Sequence, residues 1–270
     1  MRLSTEADPR RRYNLRVSPR LAFAIDAAYK AGRSTLAHYQ TGVRVDTKAD
    51  ETPVTEADRN AERLIRRLVD STYPGEPMLG EEEGGDHTRP DRWIIDPIDG
   101  TKSFVAGVPL YSTLLSYEVD FQPVLGVVFF PALNEMLYAE VGGGAFFNGA
   151  PARVSRKSEV TGGIVCCGGL KSMARYGRSP GFEKISEKAL ATRTWCDAYG
   201  HALVATGRVE GMVDPIVTRW DLSAVQVVVQ EAGGRFTNFS NGPVLVQSNE
   251  LEAVSSNGLI HEELLAAFQS

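Results

Sequence analysis

Three groups of acidic residues have the side-chain types and the spacing to do chemistry. They are the triplet Glu81–Glu83 between two glycines, the pair Asp96 and Asp99 in WIIDPIDGTKSF (93–104), and Asp221 in WDLSAVQVVVQEAGG (220–234). A buried carboxylate without a partner is costly, so each group should be protonated, ion-paired or bound to a metal ion.

Each group also has a purely structural explanation. The triplet Glu81–Glu83 fits a solvated loop, because runs of charge usually face water. Asp96 and Asp99 fit a turn, which aspartate and proline favour. Asp221 fits the N-terminal cap of a helix. Three such groups in one chain favour a Mg²⁺ site, because Mg²⁺ takes hard oxygen ligands such as carboxylates and backbone carbonyls.

The stretch from Asp96 to Thr101 combines metal-binding and anion-binding groups. Asp96 and Asp99 offer two carboxylates, the Ile98 carbonyl lies between them, and a proline at 97 stiffens the turn. Gly100 and Thr101 supply backbone N–H groups, which bind phosphate well where a helix begins. Carboxylates that hold metal ions beside amides that hold an anion are typical of phosphoryl transfer.

Helices and strands must hold these groups in place. Ser18-Pro19 predicts a helix start, and Thr55-Glu56-Ala57-Asp58 resembles a capping box that opens a second helix, ended by Tyr73-Pro74-Gly75. Strands are predicted near 93–95, 112–117, 123–130, 135–140 and 164–169, and later helices near 183–190, 198–207 and 220–233. This order predicts a layered α/β or α+β protein with two sheets and a sub-lobe boundary near residue 153.

Composition limits the possible functions. A net charge of −5 over 270 residues argues against a nucleic-acid binder, and the basic stretch Arg10–Arg12 fits a solvated arm. Three cysteines, two of them adjacent, fit neither a disulfide framework nor a zinc site, and Cys196 is expected to be a packing residue. No signal peptide or membrane segment is visible, so we expect a cytoplasmic protein without a membrane partner.

Four motifs in order resemble the signatures of the inositol monophosphatase family. They are DETPVTEAD (50–58), GEEEG (80–84), WIIDPIDGTKSF and WDLSAVQVVVQEAGG. The resemblance spans nearly the whole chain and implies one domain over residues 1–270. It also implies an alternating α-β-α-β-α sandwich of the inositol monophosphatase and fructose-1,6-bisphosphatase type, and a homodimer. The implied activity is that of a Mg²⁺-dependent, lithium-inhibited phosphomonoesterase.

The family resemblance assigns metal ligands residue by residue. Glu81, Asp96 and the Ile98 carbonyl would hold the activating Mg²⁺, whereas Asp96, Asp99 and Asp221 would hold a second ion. Two or three Mg²⁺ ions lower the pKa of the attacking water and stabilise the leaving alkoxide.

The resemblance also assigns catalytic and phosphate-binding groups. Glu81, with Thr101 and Glu82 close by, would position and deprotonate the attacking water. The amides of Gly100 and Thr101 would hold the phosphate. This chain departs from the family pattern at one position. Family members often carry aspartate before the Val-Thr pair at 54–55, whereas this chain has Thr52, with an acidic residue displaced to Asp50. The support given to Thr101 is therefore expected to differ in detail.

Two features indicate the substrate. The sequence after Gly-Thr, Lys102-Ser103-Phe104, looks more like the histidinol-phosphate phosphatase branch than the inositol branch. Asp197 and Asp214 fall where family members contact the leaving group, and two carboxylates there suit a cationic alcohol such as histidinol. Asp197 could alternatively be the N-cap of the helix that begins at Ala198.

We therefore expect a phosphatase of L-histidinol phosphate that serves histidine biosynthesis. The alternatives are an inositol-1-phosphate or broad sugar-phosphate phosphatase, a 3′-phosphoadenosine phosphate phosphatase, and a non-catalytic regulatory or phospholipid-binding relative. The complete acidic set argues against the last of these, because a binding module has no need of all those carboxylates.

Overall fold

The computed structural model of the protein describes residues 17–47, 53–195, 197–244 and 250–269. Arg10–Arg12, Asp50, Thr52 and Cys196, which carry predictions from the sequence, lie outside these ranges. Within the described part of the chain, no helix is long and apolar enough to cross a membrane.

Eight helices are formed by the described residues. They are α1 (Pro19–Thr35), α2 (Glu56–Thr72), α3 (Thr101–Val105), α4 (Leu170–Arg175), α5 (Ser179–Lys188), α6 (Asp197–Ala205), α7 (Arg219–Glu231) and α8 (His261–Ala267). The first two begin at the predicted caps. Ser18 Oγ accepts a hydrogen bond from Leu21 N at 3.1 Å, and Thr55 with Asp58 forms a capping box.

Fifteen strands form three sheets within the same ranges. Their bounds are β1 (Val45–Thr47), β2 (Pro53–Thr55), β3 (Met78–Gly80), β4 (Gly84–Gly85), β5 (Arg92–Asp99), β6 (Ser112–Val119), β7 (Gln122–Phe130), β8 (Glu135–Glu140), β9 (Gly144–Phe147), β10 (Ala150–Pro151), β11 (Ile164–Cys167), β12 (Ala191–Arg193), β13 (Gly211–Val217), β14 (Arg235–Thr237) and β15 (Leu251–Ser256). The eight-stranded sheet has the order β10-β9-β8-β7-β6-β5-β3-β4, and the five-stranded sheet has the order β12-β11-β13-β15-β14. β1 and β2 pair by themselves. The two large sheets take their strands from residues 78–151 and 164–256, whereas the division into sub-lobes near residue 153 stays a prediction.

The elements stack in five alternating layers of helix and sheet. α1 and α2 cover one face of the eight-stranded sheet, α6 and α7 lie between the two large sheets, and α4, α5 and α8 cover the outer face of the five-stranded sheet. Period-two alternation supplies both faces of the larger sheet: Leu115 and Val127 pack towards α1 and α2, whereas Leu114 and Val128 pack towards α6 and α7. The predicted layered α/β sandwich is confirmed.

A guanidinium enclosed by aromatic rings fastens α1 to the sheet and to the end of α2. The Arg20 guanidinium carbon lies 4.4 Å from the centre of the Tyr73 ring and 4.0 Å from that of Tyr117. Arg20 also pairs with Glu76, which accepts a hydrogen bond from the Trp93 indole at 2.7 Å. Cation–π contacts and the ion pair thus act together at one half-buried side chain.

The strand that carries the DPID sequence is irregular where the aspartates stand. Asp96 pairs with Leu114 of β6 but Asp99 pairs with Ser112, so three steps along β5 match two along β6. The prediction that the two aspartates follow the strand on a turn is wrong in this detail, because β5 continues through Asp99 with a bulge at residues 97 and 98. A bulge changes the normal alternation of side chains, and both carboxylates consequently line the same cavity.

Candidate active site

A cavity of about 190 Å³ opens where β5, the turn after β3, and the first residues of α3, α6 and α7 meet. Five acidic residues line it, namely Glu81, Asp96, Asp99, Asp197 and Asp221. Pro53, Ile98, Gly100, Thr101 and Lys102 complete the lining. The structure therefore brings together residues from five separate parts of the sequence, including every predicted metal ligand.

Asp96, Asp99 and Asp221 form a compact acidic triad. One carboxylate oxygen from each lies within 4.8 Å of the others, which is a spacing that could hold a metal ion. Asp96 and Asp99 come from β5 and are buried, whereas Asp221 comes from α7 and is half-buried. The remaining predicted ligand, Ile98, packs its side chain into an apolar cluster, and its carbonyl accepts a hydrogen bond from Thr101 Oγ1 at 3.1 Å.

Asp99 and Asp221 each hold the beginning of a helix as well as belonging to the triad. Asp99 Oδ2 accepts a hydrogen bond from Ala198 N at 2.8 Å, at the start of α6, and another from Ser112 Oγ at 3.0 Å. Asp221 Oδ2 accepts a hydrogen bond from Thr218 N at 2.7 Å, immediately before α7. The N-cap of α7 is Thr218, so the N-cap explanation for Asp221 is wrong by three positions: Asp221 stands in the first turn of the helix and bonds back to the cap residue. A carboxylate has several acceptor sites, so this bond is compatible with membership of the triad.

Glu81 reaches the cavity from the turn that follows β3. Its backbone N–H donates to the Ile95 carbonyl at 3.1 Å, which extends the parallel pairing of β3 with β5 by one residue. The neighbouring Glu82 is half-buried in the same turn but does not line the cavity. The solvated-loop explanation thus fits Glu83, which is exposed, better than Glu81.

Gly100 brings the start of α3 against Asp197. Gly100 has φ +79°, and a Cβ atom at this position would lie 2.7 Å from Asp197 Oδ2. Glycine is therefore required both by the left-handed backbone and by the approach of the carboxylate. Asp197 is the first residue of α6, so the N-cap alternative for this residue is wrong by one position: it begins the helix, and the first N–H behind it is bound by Asp99.

Asp58, which the sequence marks only as part of a helix cap, is a residue of the site. Thr101 Oγ1 donates to Asp58 Oδ1 across 3.4 Å, while Asp58 Oδ2 accepts hydrogen bonds from Thr55 N at 2.9 Å and Thr55 Oγ1 at 2.6 Å. Asp58 is fully buried. The capping box of α2 therefore doubles as the support of Thr101, which sequence spacing alone could not reveal across 43 residues.

Asp214, the other predicted substrate residue, lies outside the lining of the cavity. Its Oδ2 is 3.0 Å from His201 Nε2, and His201 Nδ1 is 2.8 Å from Ser255 Oγ. All three side chains are buried. The sequence does not indicate that His201 is the partner of Asp214, because His201 lies on α6 and Asp214 lies on β13.

Residues 16–270 match the inositol monophosphatase family. The chain belongs to this family. A histidinol-phosphatase of Chlorobaculum parvum is 41% identical over 93% of this chain and 97% of its own length. A histidinol-phosphatase of Mycobacterium tuberculosis is 40% identical over 83% of this chain and 87% of its own length. The solved structure of a Thermotoga maritima IMPase matches with a TM-score of 0.84 at 35% identity, over 93% of this chain and 97% of that one.

Membership of the inositol monophosphatase family makes this chain a phosphomonoesterase of a metal-dependent family. Its acidic triad is the candidate metal site. The roles of the individual lining residues stay predictions. Residues from all four family motifs line one cavity.

The electrostatics of this inositol monophosphatase-family site favour a bound cation. Burial raises the pKa of Asp96 well above its usual value, and the charges of Glu81, Asp99 and Asp221 raise it further. Burial, then the charges of Asp197 and Asp221, raise the pKa of Asp99. Burial raises the pKa of Asp221 to about 6. Each shift reflects the cost of negative charge in a confined acidic site, and a cation would remove that cost.

One oxygen in the site lacks the partner that a carboxylate normally has. Asp96 Oδ1 is buried and accepts no hydrogen bond from the described residues. An unsatisfied buried acceptor is costly unless a ligand completes it. A hard donor set with one buried oxygen left open fits a divalent cation such as Mg²⁺.

Proposed function

We propose that this chain is a Mg²⁺-dependent phosphatase that hydrolyses L-histidinol phosphate to L-histidinol and phosphate. The observation that carries the proposal is the position of Asp197, whose carboxylate lies against Gly100 at the edge of the acidic triad. Histidinol carries an ammonium and an imidazole, and a carboxylate beside the phosphate site would bind such a cation through charge-assisted hydrogen bonds. The two histidinol-phosphatases at about 40% identity support the same substrate.

Two overlapping ligand sets are available to divalent cations. Glu81, Asp96 and the Ile98 carbonyl would hold one Mg²⁺, and Asp96, Asp99 and Asp221 would hold another. When bound, Mg²⁺ ions would supply charge neutralisation of the phosphate, a lower pKa for the attacking water and stabilisation of the leaving alkoxide.

Thr101 and Asp58 would handle the proton of the attacking water. The single hydroxyl proton of Thr101 has two acceptors within reach, the Ile98 carbonyl at 3.1 Å and Asp58 Oδ1 at 3.4 Å. When the proton points at Asp58, the lone pairs of the hydroxyl oxygen are left for the water. Asp58 is fixed by its two bonds to Thr55, so its Oδ1 stays within reach of the Thr101 hydroxyl. Glu81, which lines the cavity, would complete this group around the water, whereas Glu82 of the same turn does not line the cavity.

The start of α3 would hold the phosphate. The first N–H groups of a helix have no acceptor within the helix, so those at Gly100 and Thr101 can donate to phosphate oxygens. Lys102 adds a positive charge to the lining. As water adds to phosphorus, the bond to the ester oxygen would break, the alkoxide would take a proton from solvent water, and the alcohol would leave past Asp197.

A panel of esters tests the proposal. The value of kcat/KM with Mg²⁺ would be measured side by side on histidinol phosphate, inositol 1-phosphate, fructose 1,6-bisphosphate and a 3′-phosphoadenosine phosphate. We expect histidinol phosphate to be preferred. Preference for another ester would refute the substrate, and no phosphate release from any of them by a folded, metal-binding protein would refute the enzyme.

The substitution Asp99→Asn tests the metal assignment within the same assay. It should abolish turnover at moderate Mg²⁺ with the fold intact, because the triad loses one of its three charges while the amide oxygen still accepts from Ala198 N. Full activity of the variant would rule out Asp99 as a metal ligand.

The second candidate is an inositol-1-phosphate phosphatase. It is favoured by the likeness to the Thermotoga maritima IMPase, which covers nearly the whole of both chains. A neutral polyol would gain no charge-assisted bond from Asp197, so the ester panel separates the two candidates directly.

A further inference from the structure

We propose that Glu62 of α2 is a positioning residue that fixes the Glu81 turn and thereby sets the affinity of the site for divalent cations. The inference rests on the proposed function, since it concerns the same metal site. None of the motifs marks Glu62, which lies between the capping box of α2 and GEEEG.

The Glu62 carboxylate holds the backbone on the carboxyl side of Glu81. Its Oε2 accepts a hydrogen bond from Glu82 N at 2.8 Å, and its Oε1 accepts one from Glu83 N at 3.1 Å. The Glu62 side chain is completely buried. A buried carboxylate that binds two consecutive N–H groups fixes both the position and the orientation of that turn.

Gly80, the residue before Glu81, leaves room for the Glu62 carboxylate. A Cβ atom on Gly80 would lie 2.1 Å from Glu62 Oε1 and 2.8 Å from Oε2. Any residue other than glycine would therefore push the carboxylate away from the turn. Gly80, the first glycine of GEEEG, is explained by this close approach and not by a left-handed backbone.

A cation keeps Glu62 in place and reaches the end of the same turn. Arg66, one helical turn later, donates from Nε to Glu62 Oε1 at 2.8 Å. Arg66 also donates to the Gly84 carbonyl at 2.5 Å and lies 3.5 Å from the Glu83 carboxylate. The negative charge of Glu62 is thus paired with Arg66 of the same helix, and this ion pair offsets the free-energy cost of burying the carboxylate.

Hydrogen bonds fix the backbone at Glu81 and at the two residues that follow it. The N–H of Glu81 is bound to the Ile95 carbonyl of β5, and the two N–H groups that follow it are bound to Glu62. Glu81 is a cavity-lining residue whose carboxylate interacts with that of Asp96. Loss of Glu62 would remove the latter two hydrogen bonds, and groups that orient metal ligands typically change metal affinity by about 10- to 100-fold.

One helix therefore supports two parts of the site. Asp58 at the start of α2 holds Thr101, and Glu62, four residues later on the same face, holds the Glu81 turn. Thr101 and the turn that carries Glu81 are consequently positioned relative to one another by a single helix, α2, and not by two independent loops.

The chain offers a matched control for Glu62. Glu231, at the end of α7, accepts hydrogen bonds from Gly142 N at 2.9 Å and Gly144 N at 2.8 Å. It holds a turn by the same chemistry but takes no part in the cavity. Glu231→Gln therefore reports the general effect of weakening a carboxylate–turn contact.

The experiment measures Mn²⁺ binding by electron paramagnetic resonance, with hydrogen exchange at the Glu82 and Glu83 amides as a second readout. Glu62→Gln replaces one acceptor oxygen by an NH₂ group that faces an N–H, so we expect Mn²⁺ affinity to fall at least tenfold and both amides to lose protection. Glu62→Asp keeps the charge but withdraws the carboxylate by one methylene, and it should weaken binding while the protein stays folded. Glu231→Gln should leave Mn²⁺ affinity unchanged.

The outcomes separate the two proposals. If the wild-type protein binds no Mn²⁺, the proposed function fails and this inference with it. If wild-type protein binds Mn²⁺ and both Glu62 variants bind it equally well, the inference alone is overturned. A fall in affinity of the same size in Glu231→Gln would also overturn it, because the effect would then be a general loss of rigidity.

Discussion

Replacing Asp221 by asparagine should stabilise the metal-free protein at neutral pH. Burial first, and the nearby charges of Asp197 and Asp214, raise the pKa of Asp221 from 3.8 to about 6 in the folded protein, despite the opposing hydrogen bonds from Thr218. The folded state therefore holds this proton more tightly than the unfolded state does. Stability is full below pH 3.8, falls as pH rises to about 6, and stays reduced above that.

The size of the effect follows from the pKa shift. The rise in the pKa of Asp221 from 3.8 to about 6, at about 1.4 kcal/mol per tenfold change in proton affinity, gives a penalty of about 3 kcal/mol near pH 7.5, falling to about half of that near pH 5. Asparagine carries no charge at any pH, and its side-chain oxygen can still accept from Thr218 N. The variant should therefore gain about 3 kcal/mol near pH 7.5 and less near pH 5.

The assay is urea unfolding of both proteins in the presence of a chelator, at the two pH values, followed by a repeat in Mg²⁺. In Mg²⁺ the order should reverse, because the wild-type protein gains binding free energy that the variant lacks. A variant that is no more stable than the wild type in chelator near pH 7.5 would contradict the argument. So would a gain that does not shrink near pH 5.

Three other substitutions test separate parts of the structure. Asp197→Ala should raise KM for histidinol phosphate more than for inositol 1-phosphate, and equal effects on both would remove the argument for a cationic substrate. Asp58→Asn keeps the cap of α2 but cannot take the proton of Thr101, so kcat should fall by about 100-fold or more at unchanged thermal stability; an unchanged kcat would exclude this route. Arg20→Met should lower the free energy of unfolding by about 2 kcal/mol without changing kcat, because the cation–π contacts and the Glu76 ion pair are lost together. Denaturant unfolding that places Arg20→Met within error of the wild type would show that the enclosure contributes nothing.

Local signals in the sequence were reliable where the physics is local. Ser18 and Thr55 mark helix starts because a capping side chain bonds to N–H groups only a few residues away. The strand over Glu135–Glu140 is predicted at its observed bounds because a proline before it and glycines after it interrupt regular structure locally. Motif order was equally informative, since it identified the family that the comparisons confirm.

Contacts between distant residues were beyond the sequence. The sequence marks Asp58 as a cap residue, but its second oxygen meets Thr101 only because the first turn of α2 lies beside the residues that follow β5. Nothing local connects His201 with Asp214, which meet because α6 packs on the five-stranded sheet. The role of Glu62 depends in the same way on the turn after β3 passing over α2.

The sequence by itself determined the donor chemistry of this protein: hard oxygen ligands, a proline-stiffened DPID segment and a glycine that leads into a short helix. Only the tertiary structure decided how these donors converge. Asp96 and Asp99 share a cavity because β5 bulges against β6, and Asp221 joins them because α7 is packed between the two sheets. The physical reason is that residue type fixes what a side chain can bind, whereas the packing of sheets and helices fixes which side chains meet.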